Sequence, residues 1–498
     1  MDQIFNPFLP LNEYIPDVEP HVFGDRVYVY GSHDREGGTT FCELDYVVYS
    51  ADVKDLTDWR CEGTIYSASQ DPHSKEVVKG AGERKYLYAP DVVQGNDGRY
   101  YLYYCLAAFA GKGGFDGPIS VAVCDTPAGK YEYYGDVKYT DGRLMLRYIP
   151  FDPAVINDDG RIYLYYGWAL PVGPTNNALV KGIYNKVMQG MLHKTMEEIK
   201  SDAQGIMGAN VVELEADMLT VKSEPKRIIP CEMEAKGTEF KGHAFFEASS
   251  IRKIGATYYF IYSSFVNHEL CYATSIYPDR EFQYGGVIIS NGDIGMNGRD
   301  PKDRLTVTGN NHGSIECING NWYIFYHRHT HMSSNSRQAC AEQINILKDG
   351  SIPQVEMTSC GLNSGPLQAT GEYPAVIACN LTDGHMPHMT NGSSKKKKPH
   401  ITHRAEERFL TNISTGTLLA YKYFDFQGST KLTVKTRGPG SGTLIISNKP
   451  GKKLAEIKIN SSESWKLSST HIELNGMHAL YFTFKGKNRI ELLSFSFF

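Results

Sequence analysis

One short pattern occurs five times before residue 330 and constrains the fold more than any other feature of the chain. Each copy is a short strand, a polar turn and then an aromatic-rich strand, as in Phe151–Ile156, Asn157–Arg161 and Ile162–Tyr166. Strands joined by such a turn are typical of β-hairpins. Aligned on the small residue before each strand, the equivalent positions are Glu19, Ala89, Asp152, Glu247 and His312.

The spacing between copies indicates what each hairpin belongs to. Successive copies lie 63 to 95 residues apart, which leaves room for about four strands in each unit. We therefore predict an all-β fold that begins with a five-bladed β-propeller. The long third interval holds a helix-like stretch at residues 178–205, which we interpret as an insertion between blade strands.

The hairpin pattern stops near residue 355, and 498 residues exceed one ordinary hydrophobic core. Residues 356–400 read as a linker and connecting segment, with a solvated lysine run at 395–398. Alternating segments resume after residue 401, for example at 418–426 and 479–484. We predict a propeller at 1–355, a connection at 356–400 and a jelly-roll-like β-sandwich at 401–498.

Composition excludes several classes of partner. The net charge of −5 is small for this length, so neither a nucleic-acid nor a membrane partner is expected. The ten cysteines are scattered and form no CxxC pair. The first eight residues lack the basic segment and apolar core of a signal peptide. We predict a cytoplasmic location, or secretion if a leader has been removed.

Equivalent positions of propeller blades meet at one mouth of the central channel. Here they would gather Glu19, Asp152, Glu247 and His312, with Asp17 two residues before Glu19. Crowded carboxyl groups repel one another, which leaves one ionised and another protonated at neutral pH. Two carboxyl groups separated by a water molecule are what an inverting glycoside hydrolase requires.

Four motifs together resemble glycoside hydrolase family 43 over residues 1 to about 350. They are Asp152-Pro153 in its hairpin, Ala89-Pro90-Asp91, Glu247 before a small-residue strand, and His312-Gly313-Ser314. Members of that family are five-bladed propellers that act on xylosides and arabinofuranosides with inversion. The resemblance implies that Glu247 is the general acid and that Asp152 raises its pKa and orients it.

The resemblance also implies further site residues. His312 would lie on the propeller axis, where relatives hold water or a calcium ion. Arg328 resembles the family's substrate-contacting arginine. From the residues themselves, Asp91 is a candidate through its place near the same mouth, and Trp168 and Phe246 as an apolar platform for a sugar ring. The general base would be an aspartate in the first blade. This chain has Asp17-Val18-Glu19-Pro20, so both Asp17 and Glu19 remain candidates, with a slight preference for Asp17.

The C-terminal region, from Gly416 to Phe482, resembles carbohydrate-binding module family 6. Such a module would either bind sugar or pack against the propeller and shape the site. For the whole chain we expect removal of terminal β-D-xylosyl or α-L-arabinofuranosyl units from plant cell-wall oligosaccharides. No cofactor is expected for the chemistry, a structural calcium is allowed, and the oligomeric state stays open. The alternatives are an endo-arabinanase or galactosidase of the same fold, or a non-catalytic sugar-binding propeller.

Overall fold

Five antiparallel sheets follow one another along the first two thirds of the chain, which confirms the predicted five-bladed propeller. The structure, a computed structural model, describes residues 3–171, 173, 177–192, 195–201, 207–390 and 393–498. Blade one contains β1 (Glu19–Phe23), β2 (Arg26–Tyr30), β3 (Tyr46–Asp52) and β4 (Asp55–Tyr66). A small hairpin follows, formed by β5 (Val77–Val78) and β6 (Gly82–Glu83). Blade two contains β7 (Tyr86–Gln94), β8 (Tyr100–Ala107), β9 (Ile119–Cys124) and β10 (Glu132–Asp136).

The third blade carries the predicted helical insertion between its second and third strands. Blade three contains β11 (Ala154–Asp158), β12 (Arg161–Trp168), β13 (Gly208–Leu214) and β14 (Lys226–Pro230). The insertion forms α1 (Ala178–Leu192) and α2 (Met196–Ser201). This confirms the helix-like stretch as far as residue 201, whereas its last residues, 202–205, lie outside the described ones.

Blades four and five complete the ring. Blade four contains β15 (Phe245–Ile254), β16 (Thr257–Ser264), β17 (Glu269–Ser275) and β18 (Gln283–Ser290). Blade five contains β19 (Ile315–Ile318), β20 (Asn321–His329) and β21 (Arg337–Ile344). Short 3-10 turns lie at Ala68–Gln70, Pro72–Lys75, Phe109–Gly111, Asn291–Asp293, Met296–Gly298, Pro301–Asp303 and Ala375–Ile377.

The start of the chain closes the ring by lining the outer edge of blade five. The amide of Phe8 donates to the carbonyl of Ala339, and the side chain of Asn6 exchanges two hydrogen bonds with the backbone of Ala341. On the axis, Val18 bridges Gly313, so the innermost strands of blades one and five also meet. A propeller closed in this way leaves fewer unpaired strand edges.

Side chains of the innermost strands fill the channel in three levels, because alternate residues of a strand face the same side. The level at one mouth consists of Asp17, Tyr88, Asp152, Glu247 and His312, all of which line one pocket. The middle level consists of Glu19, Asp91, Ala154, Ser250 and Ser314. The level at the opposite mouth consists of His21, Val93, Ile156, Arg252 and Glu316, all of which line one shallow pocket. Register shifts between Tyr88 and Asp91 and between Glu247 and Ser250 explain the three-residue steps in blades two and four.

The rest of the chain forms one ten-stranded sheet around a large apolar core. Its strands are β22 (Leu367–Gln368), β23 (Gly371–Pro374), β24 (Asn380–Thr382), β25 (His400–Arg404), β26 (Glu407–Ile413), β27 (Leu418–Gly438), β28 (Ser441–Lys449), β29 (Lys452–Ile459), β30 (Ser462–Lys487) and β31 (Ile490–Phe497). Ile401 near one edge of the sheet and Ile457 at the other belong to the same core, so the sheet curls around it.

The segment predicted as a linker is partly ordered in this sheet, since β22 and β24 pair with β27, and β23 pairs with β31. The division at 355 and 400 stays a prediction. Within the described part of the chain, we find no helix long and apolar enough to cross a membrane.

Candidate active site

A pocket of about 190 Å³ opens at the mouth of the channel, and three of the five aligned positions line it. Asp152, Glu247 and His312 are these positions, and Asp17 lines the pocket where the alignment had placed Glu19. They come from four different blades, so the ring closure alone brings them together. The middle level closes the channel beneath them: Ser250 donates to Glu19 at 3.0 Å, and its Oγ atom lies 2.6 Å from the hydroxyl of Ser314. The pocket is therefore a dead end.

Asp17 is held by a buried arginine. The Nη1 group of Arg337 donates to Oδ1 of Asp17 at 2.8 Å. The other face of the same guanidinium forms two hydrogen bonds with Asp34, at 2.8 and 3.0 Å. Arg337 is 2% exposed, so its charge is neutralised by these two carboxylates and not by solvent. The arrangement fixes the side chain of Asp17 against the pocket wall.

Asp152 occupies the same position in blade three that Asp17 occupies in blade one. Each lies two residues before the first residue of its strand, and each has a left-handed backbone, with φ of 57° and 48°. Oδ2 of Asp152 accepts the amide of Ala248 at 3.0 Å, which ties blade three to blade four beside Glu247. Burial and the neighbouring Glu247 carboxyl raise the pKa of Asp152.

Glu247 is a second buried carboxyl group whose surroundings favour the protonated form. Burial raises its pKa to about 8, and the negative charge of Asp17 adds to the shift. The side chains of Trp168 and Asn310 hydrogen bond it. A carboxylic acid that stays protonated at neutral pH can donate that proton to a leaving group.

His312 stands between the two aspartates. Its Nδ1 atom lies 3.8 Å from an oxygen of Asp17 and 3.8 Å from an oxygen of Asp152. Burial lowers its pKa to about 4, so the imidazole is neutral. The next residue must be glycine, because a Cβ at Gly313 would lie 1.9 Å from the carbonyl oxygen of Phe325.

Aromatic rings form the rest of the wall. The rings of Phe115 and Trp168 are 5.0 Å apart, and those of Trp168 and Phe246 are 6.1 Å apart. Tyr88 and Phe151 continue this surface, with ring centroids 5.6 Å apart. The predicted apolar platform of Trp168 and Phe246 is therefore part of a larger aromatic wall, which suits the C–H face of a sugar ring.

Two predicted site residues lie one level too deep to reach the pocket. Glu19 is buried against Ser250 and Arg252, and Nη1 of Arg252 is 2.8 Å from Oε1 of Glu19. Asp91 accepts hydrogen bonds from the amides of Val92 and Val155 and contacts His21, each at 2.7 Å. Glu19 lies two residues beyond Asp17, and Asp91 lies three residues beyond Tyr88, so alignment on the small residue before each strand placed Glu19 one level too high.

The predicted substrate arginine also lies elsewhere. Arg328 is buried on the far side of β20, where its Nε atom is 2.9 Å from the sulfur of Cys340. Side chains alternate along a strand, so Arg328 faces away from its neighbour His327, which lies 3.4 Å from Asp17. Arg337, at the start of β21, is the arginine that lines the pocket.

Comparison with known proteins agrees with this geometry. Residues 5–209 match the model of glycosyl hydrolases family 43. A xylosidase/arabinosidase from Thermoclostridium stercorarium is 46% identical over 509 residues, covering 99% of this chain and 98% of that protein. This chain belongs to glycoside hydrolase family 43.

Other relatives span the propeller. A xylosidase/arabinosidase from Bacteroides ovatus is 30% identical over 334 residues, covering 64% of this chain and 87% of that protein. A solved structure of a family 43 β-xylosidase/α-arabinofuranosidase from a compost microbial metagenome, with xylotriose and in a calcium-free form, is 26% identical. It covers 72% of this chain and 98% of its own, with a TM-score of 0.51.

Several pocket residues of this family 43 glycoside hydrolase were not found by sequence reasoning. Arg337, Phe41, Asn267, Asn310 and Met389 all line the pocket. Met389 comes from the segment predicted as a linker and accepts a hydrogen bond from Asn267 at 3.3 Å. Backbone hydrogen bonds between Thr308 and residues 387–389 hold that segment in place. No local motif marks Met389. Arg337 could have been found from its place at the start of β21, the strand that pairs with β20.

Proposed function

We propose that this glycoside hydrolase removes single β-D-xylosyl or α-L-arabinofuranosyl units from the ends of oligosaccharides, with inversion. The observation that carries the proposal is the dead-end pocket into which three carboxyl groups from three blades converge beside an aromatic wall. A pocket of about 190 Å³ accommodates a single sugar ring, and the filled channel beneath it leaves no exit for a longer chain. The names of the relatives support the two pentoses.

Glu247 is the proposed general acid. Its pKa of about 8 keeps it protonated at neutral pH, as protonation of the leaving oxygen requires. Asp152 is the proposed auxiliary carboxylate, because it lies beside Glu247 and is anchored by the amide of Ala248. When the acid gives up its proton, the charge of Asp152 opposes the ionisation of Glu247 and favours its reprotonation.

Asp17 is the proposed general base. It is the aspartate positioned by Arg337, and its place in the pocket wall allows it to accept a proton from a water molecule. The water then attacks the anomeric carbon, the glycosidic bond breaks, and the leaving oxygen receives the proton of Glu247. In each turnover Asp17 gains one proton and Glu247 loses one. Exchange with solvent then returns both groups to their starting protonation states.

A structural calcium near His312 is a further proposal. The nearby oxygens of Asp17 and Asp152 are of the kind that calcium prefers, although a neutral imidazole is not. An ion there would be bound through water and would hold the two aspartates apart. The description of one related structure as a calcium-free form supports this idea.

Two other expectations remain proposals. A cytoplasmic location is consistent with ten cysteines that are all free thiols. For the C-terminal sheet, a role in shaping the site is favoured over sugar binding, because Met389 lies in the pocket wall and the preceding strand β24 pairs with β27.

The proposal is tested by assaying the full chain on 4-nitrophenyl β-D-xyloside and α-L-arabinofuranoside, with the β-D-galactoside and linear arabinan as comparisons. We expect release of nitrophenol from at least one pentoside and little attack on arabinan. Proton NMR of the first product should show the inverted anomer. Preferred cleavage inside arabinan would favour the endo-arabinanase alternative. Inactivity on all these substrates and on xylo-oligosaccharides would favour the non-catalytic alternative.

A further inference from the structure

Outside the pocket, two histidines and a glutamate converge where three separate segments of the chain meet. Glu36 lies in the loop between β2 and β3, His331 lies in the loop between β20 and β21, and His403 lies in β25 of the C-terminal sheet. Nδ1 of His403 is 3.2 Å from Oε1 of Glu36 and 3.3 Å from Nε2 of His331. The third side of the triangle, from His331 to Glu36, is 3.9 Å.

These separations match a tetrahedral metal site. Two ligand atoms bonded to zinc at about 2.0–2.1 Å, and separated by the tetrahedral angle, are roughly 3.3 Å apart. Two imidazoles and one carboxylate form an established zinc donor set, with the fourth position left for water. His403 is 39% exposed, so both a metal ion and a water molecule can enter from that side.

The surroundings orient the donors. The hydroxyl of Tyr14 lies 2.8 Å from Nδ1 of His331, so it can fix the imidazole tautomer that leaves Nε2 free to bind a metal. Arg408 donates to Oε2 of Glu36 at 2.8 Å and to Oε1 at 3.2 Å, so the carboxylate is already held in place.

We propose that Glu36, His331 and His403 bind a zinc ion that joins the propeller to the C-terminal sheet. The ion would share Glu36 with Arg408, which would keep Oε2 while the metal takes Oε1. The loop that carries Glu36 also carries Asp34, the partner of Arg337, and Phe41, which lies against the Arg337 guanidinium at 4.8 Å. Zinc would therefore brace one wall of the pocket from outside, without touching the substrate.

The experiment measures zinc bound to the full chain, free of any affinity tag. The protein is stripped with a chelator, loaded with zinc chloride, passed through a desalting column and analysed by plasma mass spectrometry. We expect one zinc ion per chain in the wild type and in His385→Ala, a matched control that removes another exposed histidine. His403→Ala and Glu36→Gln should each bind zinc at least tenfold more weakly.

Two further measurements separate this site from zinc bound elsewhere. Cobalt loading should give the intense visible absorption of tetrahedral Co²⁺ in the wild type and the control, and not in His403→Ala. Tyr14→Phe should weaken zinc binding by about ten- to a hundredfold, because the tautomer of His331 is no longer fixed. Absence of zinc from the wild type, or equal zinc in the wild type and both ligand variants, would overturn the proposal.

Discussion

Asp17 and Asp152 adopt the same left-handed backbone conformation two residues before the innermost strands of their blades, and both line the pocket. A non-glycine residue with positive φ is uncommon, and aspartate is among those that tolerate it best. The shared conformation brings both carboxyl groups to the mouth of the channel. Their chemistry differs because Arg337 holds Asp17, whereas an amide from blade four holds Asp152.

Asp17→Asn should abolish most hydrolysis, whereas Glu19→Gln should not. Removing a general base costs about 10²- to 10⁴-fold in rate. Glu19 lies one level below the pocket, so its substitution should leave kcat within a few-fold of the wild type. Steady-state kinetics on the preferred nitrophenyl pentoside would show the difference. Azide should restore turnover in Asp17→Asn, and rescue of Glu19→Gln in its place would assign the base to Glu19.

The pH dependence should report the proton on Glu247. With xylobiose, whose leaving sugar needs protonation, kcat/KM should fall as pH rises through about 8, the pKa of Glu247. Asp152→Asn should move this alkaline limb to lower pH, because a neighbouring negative charge no longer opposes the ionisation of Glu247. A limb that stays at the same pH would contradict the proposed role of Asp152.

Glu247 should also affect stability in a pH-dependent way. Its pKa is raised from 4.5 to about 8 on folding, so the folded state binds a proton that the unfolded state releases. This contribution is fully present below pH 4.5 and is lost as pH rises through about 8. Glu247→Gln cannot ionise, so its stability relative to the wild type should increase across that range. Thermal unfolding of both proteins at several pH values would measure this.

Met389→Ala should weaken substrate binding without slowing the chemical step. Met389 contributes apolar surface to the pocket wall and touches none of the three carboxyl groups through a hydrogen bond in the described structure. Loss of that contact should raise KM about three- to tenfold with kcat nearly unchanged. Met477→Ala is the matched control, since Met477 is exposed on the C-terminal sheet. Equal KM values for the two variants would remove Met389 from the binding site.

Lys422→Met should destabilise the contact between the propeller and the C-terminal sheet. Lys422, buried in β27, lies 3.0 Å from Asp293 after blade four and 2.9 Å from Glu356. Removing it leaves Asp293 buried without its cation, which should cost about 3–5 kcal/mol of unfolding free energy. Urea denaturation would measure this loss. The exposed Lys452→Met should change the value by less than about 0.5 kcal/mol.

Much of the fold followed from local patterns. Hairpins that recur at blade-sized intervals depend on neighbouring residues only, and the same is true of the helical insertion after Trp168. The pocket residues Asp152, Glu247 and His312 were predictable because equivalent positions of a propeller meet at its mouth. Trp168 and Phe246 were predictable from their place near the ends of those strands.

The errors have one physical origin. Sequence alignment could not show that a left-handed residue precedes β1, so it placed Glu19 at the pocket level and left both Asp17 and Glu19 as candidates for the base. The family resemblance selected Arg328, because the sequence does not show which face of β20 lies toward the axis. The arginine that lines the pocket is Arg337. Met389 reaches the pocket through a segment more than 70 residues beyond the last blade position, His312.

The sequence by itself determined the five blades, the aromatic strands and the set of carboxyl groups available to the site, because these depend on residue type and spacing. Only the tertiary structure decided which carboxyl groups share the pocket and which lie beneath it. That choice depends on backbone angles and on the position of each residue along its strand. Asp17 and Glu19 are only two residues apart. One such step moves a side chain from the substrate to the buried channel.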